Sequence, residues 1–270
     1  MTIERLQAHW GFTRMPFGRD LAPGMLVSTR SHSEAVARIG WLVSEGALGI
    51  VTGEVGAGKT VAARAATAAL DHRHLVIYLG NPAVGVRGYY RHIVATLGGT
   101  PPYQTSSLIA AAVERLQAER AERGRRVVVV CDEAHMLDPQ QLDELRFLTA
   151  DDMDSHSLFA CLLVGQPTLR RRLKLGAYVA LDQRVALRYQ LDGMDATETT
   201  TYVHQHLALA GRKDAVFSDD AIALIHQTGR GLPRAVNNLA VQALIAAFAD
   251  KKSVVDERSA AAAVTELAAD

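Results

Sequence analysis

Residues Gly53–Thr60 read Gly-Glu-Val-Gly-Ala-Gly-Lys-Thr, the spacing G-x-x-x-x-G-K-[ST]. This octet constrains the fold more than any other feature of the chain. Its glycines let the backbone curl so that successive N–H groups converge on phosphate oxygens. A helix that starts at Lys59 adds its positive end to the same spot. Such a loop needs a strand before it and a helix after it. The apolar run Leu48–Thr52 and the small-residue stretch Lys59–Leu70 supply both. The predicted cradle is Gly53, Glu54, Val55, Gly56, Ala57, Gly58, Lys59 and Thr60. Lys59 is expected at the β- and γ-phosphates, and the Thr60 hydroxyl on Mg²⁺. ATP and Mg²⁺ are the cofactors this implies.

A second acidic site follows the run Val127–Cys131, where four valines and a cysteine end in Asp132 and Glu133. A run this apolar predicts a strand covered on both faces. In parallel sheets ligands gather at the carboxyl ends of strands, so Asp132 is expected to face the phosphate loop. Asp132 is assigned to nucleotide and to Mg²⁺ through water, and Glu133 to polarising the attacking water. Asp132-Glu133-Ala134-His135 also spells a helicase box. A helicase core needs two tandem sheet domains, and a single phosphate loop argues against one. His135 is read as a local hydrogen-bonding residue.

Strand-like and helix-like segments alternate up to about residue 192, the pattern of a parallel α/β sheet. Expected strands are 48–52, 75–79, 126–131, 158–164 and 187–191; expected helices are 31–45, 59–70, 89–97, 106–123 and 139–148. Beyond 192 only helices are expected, over 196–210, 219–228, 233–249 and 256–268. The predicted architecture is α/β: a P-loop NTPase with a five-stranded parallel sheet flanked by helices, then a small all-helical lid domain. The expected divisions are an N-terminal aromatic segment 1–25, a nucleotide-binding domain 26–192 and a lid 193–270.

Composition narrows the rest. Apolar residues at 49% exclude a disordered chain. Runs such as Leu158–Val164 fall short of the ~20 residues that span a bilayer, and the first residues lack a signal-peptide core. A cytoplasmic protein without membrane contact is therefore expected. Cys131 and Cys161 lie in apolar runs and read as buried free thiols. Net charge is zero, which gives no sign of nucleic-acid binding. The basic side is nevertheless 24 Arg against 5 Lys. Genome composition accounts for that excess, and so does a need for bidentate phosphate contacts.

Beside these motifs the chain resembles the AAA+ ATPases, and more closely their ExeA-like branch. The resemblance rests on Trp10-Gly11-Phe12 with Pro16-Phe17, on Ser31–Ala35, on Thr52–Thr60 and on Leu163–Pro167. It extends to Leu181–Val185 and Thr228–Arg234. It implies catalytic roles for Gln166 as sensor 1, Arg184 as an arginine finger acting on a neighbouring subunit, and Arg234 as sensor 2. Each residue has a plainer reading too. Gln166 precedes Pro167 as a turn-capping amide would. Arg184, its competitor Arg188, and Arg234 read equally as surface ion pairs. The N-terminal aromatics read as core or as adenine neighbours.

Within the branch, the chain looks like the TniB/TnsC-type transposition ATPases, similar in plan to MuB and IstB. Secretion-associated members continue into a membrane span and a cell-wall-binding domain, and neither is found within these 270 residues. The resemblance implies a Mg²⁺-dependent ATPase that assembles as a homo-oligomer, ring or filament, on duplex DNA and regulates a transposase in target selection. Alternatives are an ExeA-type secretion or envelope-assembly ATPase and a signalling NTPase switch. Arg87 and Arg91, beside Tyr89 and Tyr90, are the candidate DNA contacts; Arg170–Arg172 with Lys174 form a second basic cluster. A solvated helix face is the plainer reading of both.

Overall fold

The computed structural model describes residues 2–18, 25, 27–149 and 157–268. Residues 19–24 and 26, at the expected boundary between segment 1–25 and the next domain, lie outside the described residues. The helices and strands are, in order, α1 (Ile3–Trp10), α2 (Arg30–Glu45), β1 (Leu48–Gly53), α3 (Lys59–Ala68), β2 (His74–Leu79), α4 (Gly85–Thr96) and α5 (Thr105–Ala121). They continue with β3 (Arg126–Cys131), α6 (Pro139–Leu148), β4 (Phe159–Gly165), α7 (Pro167–Leu173), α8 (Val179–Gln183) and β5 (Val185–Leu191). The last four are α9 (Ala196–Leu209), α10 (Asp219–Gly229), α11 (Pro233–Ala249) and α12 (Glu257–Ala268).

The chain divides into two compact units. One comprises Ser33–Val55 and Lys59–Leu191; the other comprises Met1–His32, Gly56–Gly58 and Asp192–Asp270. The first is built on a five-stranded sheet in the order β2-β3-β4-β1-β5, and every neighbouring pair is parallel. Period-two alternation divides β1 to β4 between two apolar layers, and a register shift puts Val185 and Leu187 of β5 in opposite ones. Val127, Val129 and Cys131 of β3 join α4, α5 and α6 on one face. Val128 and Val130 join α2 and α3 on the other, with Ala63 and Ala66 of α3. β4 is buried along its whole length, which explains its unbroken apolar run.

The second unit holds the C-terminal helices and the N-terminal segment. Trp10, Phe12 and Phe17 are buried in one core with α9, α10, α11 and α12. Of the two readings of these aromatics, the structure shows core packing. The segment also contains a helix the pattern did not suggest, α1, closed by Gly11 in a left-handed conformation.

Candidate nucleotide site

A parallel sheet brings its carboxyl ends to one edge, and the register fixes what meets there. Thr52 of β1 pairs with Gly165 of β4, so Gly53 and Gln166 leave neighbouring strands side by side. Leu79 of β2 pairs with Cys131 of β3, and the Asp132 N–H donates to the Leu79 carbonyl at 3.0 Å. Asp132 follows Val130 by two residues and so points to the same face, where α3 packs. The first residues of α3 are Lys59 and Thr60.

Side chains complete the junction. The Thr60 hydroxyl donates to Asp132 Oδ2 at 2.8 Å. Asp132 is 5% exposed and Lys59 9%, which is low for charged groups. Lys59 Nζ donates to the Glu54 carbonyl at 2.9 Å, folding back over its own loop. Gly56 and Gly58 have φ of +84° and +95°, a region that L side chains avoid. The Arg234 N–H donates to the Gly56 carbonyl at 3.2 Å, and a β-carbon on Gly56 would lie 2.7 Å from Arg234 Cβ. Gly56 is therefore required for curvature and for space.

Glu133 stands in the left-handed region at φ 50°, an outlier for a residue with a side chain. Its N–H donates to Asp132 Oδ1 at 2.9 Å, and its side chain is half exposed. His135 has the expected local role, its Nδ1 accepting from the Gln166 N–H at 3.5 Å. The Gln166 side chain makes no capping hydrogen bond to α7. Arg184 ends α8. Arg188 is engaged within the chain, donating to the Asp182 carbonyl at 2.5 Å and its carboxylate at 2.9 Å.

One residue of this site escaped the sequence reading. Tyr78, on β2, donates its hydroxyl to Asp132 Oδ2 at 2.8 Å. Burial first, and then this bond, push the phenol up to about 12. The available signal was a tyrosine near the end of a strand; that it faces Asp132 depends on the β2–β3 register, which periodicity does not give.

The oxygen-only set of Thr60 and Asp132 suits Mg²⁺, which takes one or two protein oxygens and completes its shell with phosphates and water. Among the described residues no cluster of three or more His, Cys, Asp or Glu offers a metal cage of another kind.

The basic candidates separate. Tyr89 and Tyr90 are buried in the sheet core, so only the arginines of this segment stand on the surface. Arg87 is exposed and donates to the Tyr103 carbonyl at 2.5 Å, with its guanidinium over that ring; Arg91 is exposed. Arg172 is turned inward on the Leu137 carbonyl and the Tyr178 hydroxyl, and Arg170 bonds Gln190. The cluster Arg170–Lys174 is thus not one free basic face.

The sheet order and the two motifs are those of the AAA+ P-loop NTPase fold. Residues 43–173 match the AAA domain family. The chain is 32% identical over 245 residues to the general secretion pathway protein A of Aeromonas hydrophila, covering 89% of this chain and 44% of that one. It therefore spans less than half the length of that relative. Among solved structures, Cdc6p from Pyrobaculum aerophilum has a TM-score of 0.67 at 16% identity, covering 88% of this chain and 67% of that one. The Aeropyrum pernix ORC1 protein in complex with DNA has 0.66 at 16%, covering 93% and 68%. The RuvB Holliday junction branch migration motor of Thermotoga maritima has 0.60 at 17%, covering 89% and 70%. Among the described residues no helix is long and apolar enough to cross a membrane.

Proposed function

We propose that this chain is a Mg²⁺-dependent ATPase that assembles on duplex DNA in its ATP-bound form. The observation that carries the ATPase is the junction of Thr60 with Asp132 beside Lys59 and Glu133. In this reading Gly53–Gly58 present backbone N–H groups to the phosphates, and Lys59 adds a positive charge. Thr60 and Asp132 hold Mg²⁺, whose chemistry is to neutralise charge building on the phosphate oxygens. Glu133 orients and polarises the attacking water, and Gln166 positions that water. Arg184, the residue the resemblance implies, reaches the γ-phosphate of a neighbouring subunit. Arg234 takes the sensor 2 role that the resemblance implies.

The task beyond ATP is the finer part. The DNA-bound ORC1 structure and the branch migration motor share this fold, which supports an ATPase working on duplex DNA. Resemblance to the transposition ATPases makes target selection for a transposase the matching role. A second reading, an ATPase module of a secretion or envelope-assembly system acting on a protein partner, is favoured by the relative in Aeromonas hydrophila. Two variants test the catalytic core. Lys59→Ala is expected to abolish binding of a fluorescent ATP analogue. Glu133→Gln is expected to keep that binding and lower turnover by at least ~100-fold. Equal loss of binding and turnover in Glu133→Gln would remove its assigned role. Duplex DNA that fails to raise the ATPase rate at low salt would favour the second reading.

A further inference from the structure

Asp132 is held from three directions. Oδ2 accepts from Thr60 at 2.8 Å and from Tyr78 at 2.8 Å, and Oδ1 accepts from the Glu133 N–H at 2.9 Å. We propose that Tyr78 is a positioning residue: its hydroxyl locks the Asp132 carboxylate in the orientation that serves Mg²⁺ and nucleotide. This rests on the ATPase reading above.

Ordinary core packing does not account for Tyr78. The residue is 49% exposed and stands on β2, which among the described residues is an edge strand paired with β3 alone. Its phenolic oxygen nevertheless reaches a carboxylate that is almost fully buried. The ring lies against Gly80, where a β-carbon would come 2.6 Å from Tyr78 Cε1 and 3.3 Å from the hydroxyl. A side chain at position 80 would push the ring aside and take the hydroxyl off Asp132. Of the two donors on Oδ2, the Thr60 hydroxyl is itself assigned to Mg²⁺, whereas Tyr78 bonds only the carboxylate. With the Glu133 N–H on Oδ1, the Tyr78 bond favours one rotamer of Asp132 whatever Thr60 does, so less freedom is lost when the carboxylate engages a metal-bound water. Partners of this kind around metal-holding groups are typically worth ~10–100-fold in metal affinity or activity.

The experiment titrates Mg²⁺ into the protein with a fluorescent, non-hydrolysable ATP analogue, and repeats the binding in EDTA. Tyr78→Phe keeps the ring and removes the donor. It is expected to raise the Mg²⁺ concentration at half-maximal effect ~10-fold, with binding in EDTA and melting temperature as in the unmodified protein. Gly80→Ala is expected to shift the Mg²⁺ requirement in the same direction through displacement of the ring. A Mg²⁺ requirement for Tyr78→Phe within about twofold of the unmodified protein, against the ~10-fold expected, overturns the proposal. Asp132→Asn separates the two levels. If it shifts the Mg²⁺ requirement and Tyr78→Phe does not, Tyr78 alone is misassigned. If Asp132→Asn shifts nothing either, the Mg²⁺ site itself fails.

Discussion

His206 shows how one buried side chain sets a pH dependence remote from the site. It is 3% exposed, stacked on Phe17 with ring centroids 5.1 Å apart and packed beside Tyr202 at 4.4 Å. Burial, followed by the positive charge of Arg14, pushes its imidazole down to about 4. The ring is therefore neutral in the folded protein where the unfolded chain, near ~6.5, takes up a proton. Between these values the unfolded state binds more protons, so stability falls as pH drops from about 6.5 toward 4. Linkage makes this group's share of the loss about 2 kcal/mol at pH 5 relative to pH 8. Urea unfolding at the two pH values measures it. His206→Phe is expected to reduce the pH-dependent part, and an unchanged difference in that variant would show that other groups carry it.

At the level of elements, the two glycines Gly40 and Gly56 separate two roles. Gly40 lies in the interior of α2, and a β-carbon there meets nothing within 4 Å. Gly40→Ala removes backbone freedom from the unfolded chain, and is expected to raise stability by ~0.5–1 kcal/mol. Gly56→Ala must place a side chain at φ +84° and 2.7 Å from Arg234 Cβ. The left-handed conformation alone costs ~1–2 kcal/mol, and nucleotide affinity is expected to fall with it. Thermal melts and nucleotide titrations of the two variants check both signs. The same division explains what the sequence made legible. The phosphate loop and the Asp132-Glu133 pair are written in local spacing, and β1 to β4 are largely apolar runs, whereas β5 carries Arg188 and Gln190. Helix α4 begins at Gly85, four residues before the expected Tyr89, because its apolar positions Tyr89, Tyr90, Ile93 and Val94 mark only the buried part. Helices α1, α7 and α8 are too short for periodicity to stand out. The Tyr78 hydrogen bond and the left-handed Glu133 arise from strand register and a tight turn, which no single segment encodes.

For the whole molecule, zero net charge limits how the proposed DNA binding would work. A chain with 29 basic and 29 acidic residues has no general attraction for a polyanion, so any duplex contact must come from a few placed arginines. In an ATP-assembled oligomer each such residue is repeated once per subunit, and the charge density along the duplex rises with assembly. Affinity is then expected to be weak with ADP and stronger with a non-hydrolysable ATP analogue. Each phosphate contact contributes ~0.9 to the slope of log affinity against log salt, so the assembled form should show the steeper slope. Arg91 is exposed, whereas Arg87 already gives one donor to the Tyr103 carbonyl. Arg91→Glu is therefore expected to lower DNA stimulation of the ATPase more than Arg87→Glu, and the double variant to lower it at least ~10-fold. Fluorescence anisotropy across a salt series, with ADP and with the ATP analogue, measures the first expectation, and ATPase rates with and without duplex measure the second. Equal DNA affinity in both nucleotide states would mean that assembly does not supply the charge. A double variant stimulated like the unmodified protein would place the DNA contact elsewhere on the chain.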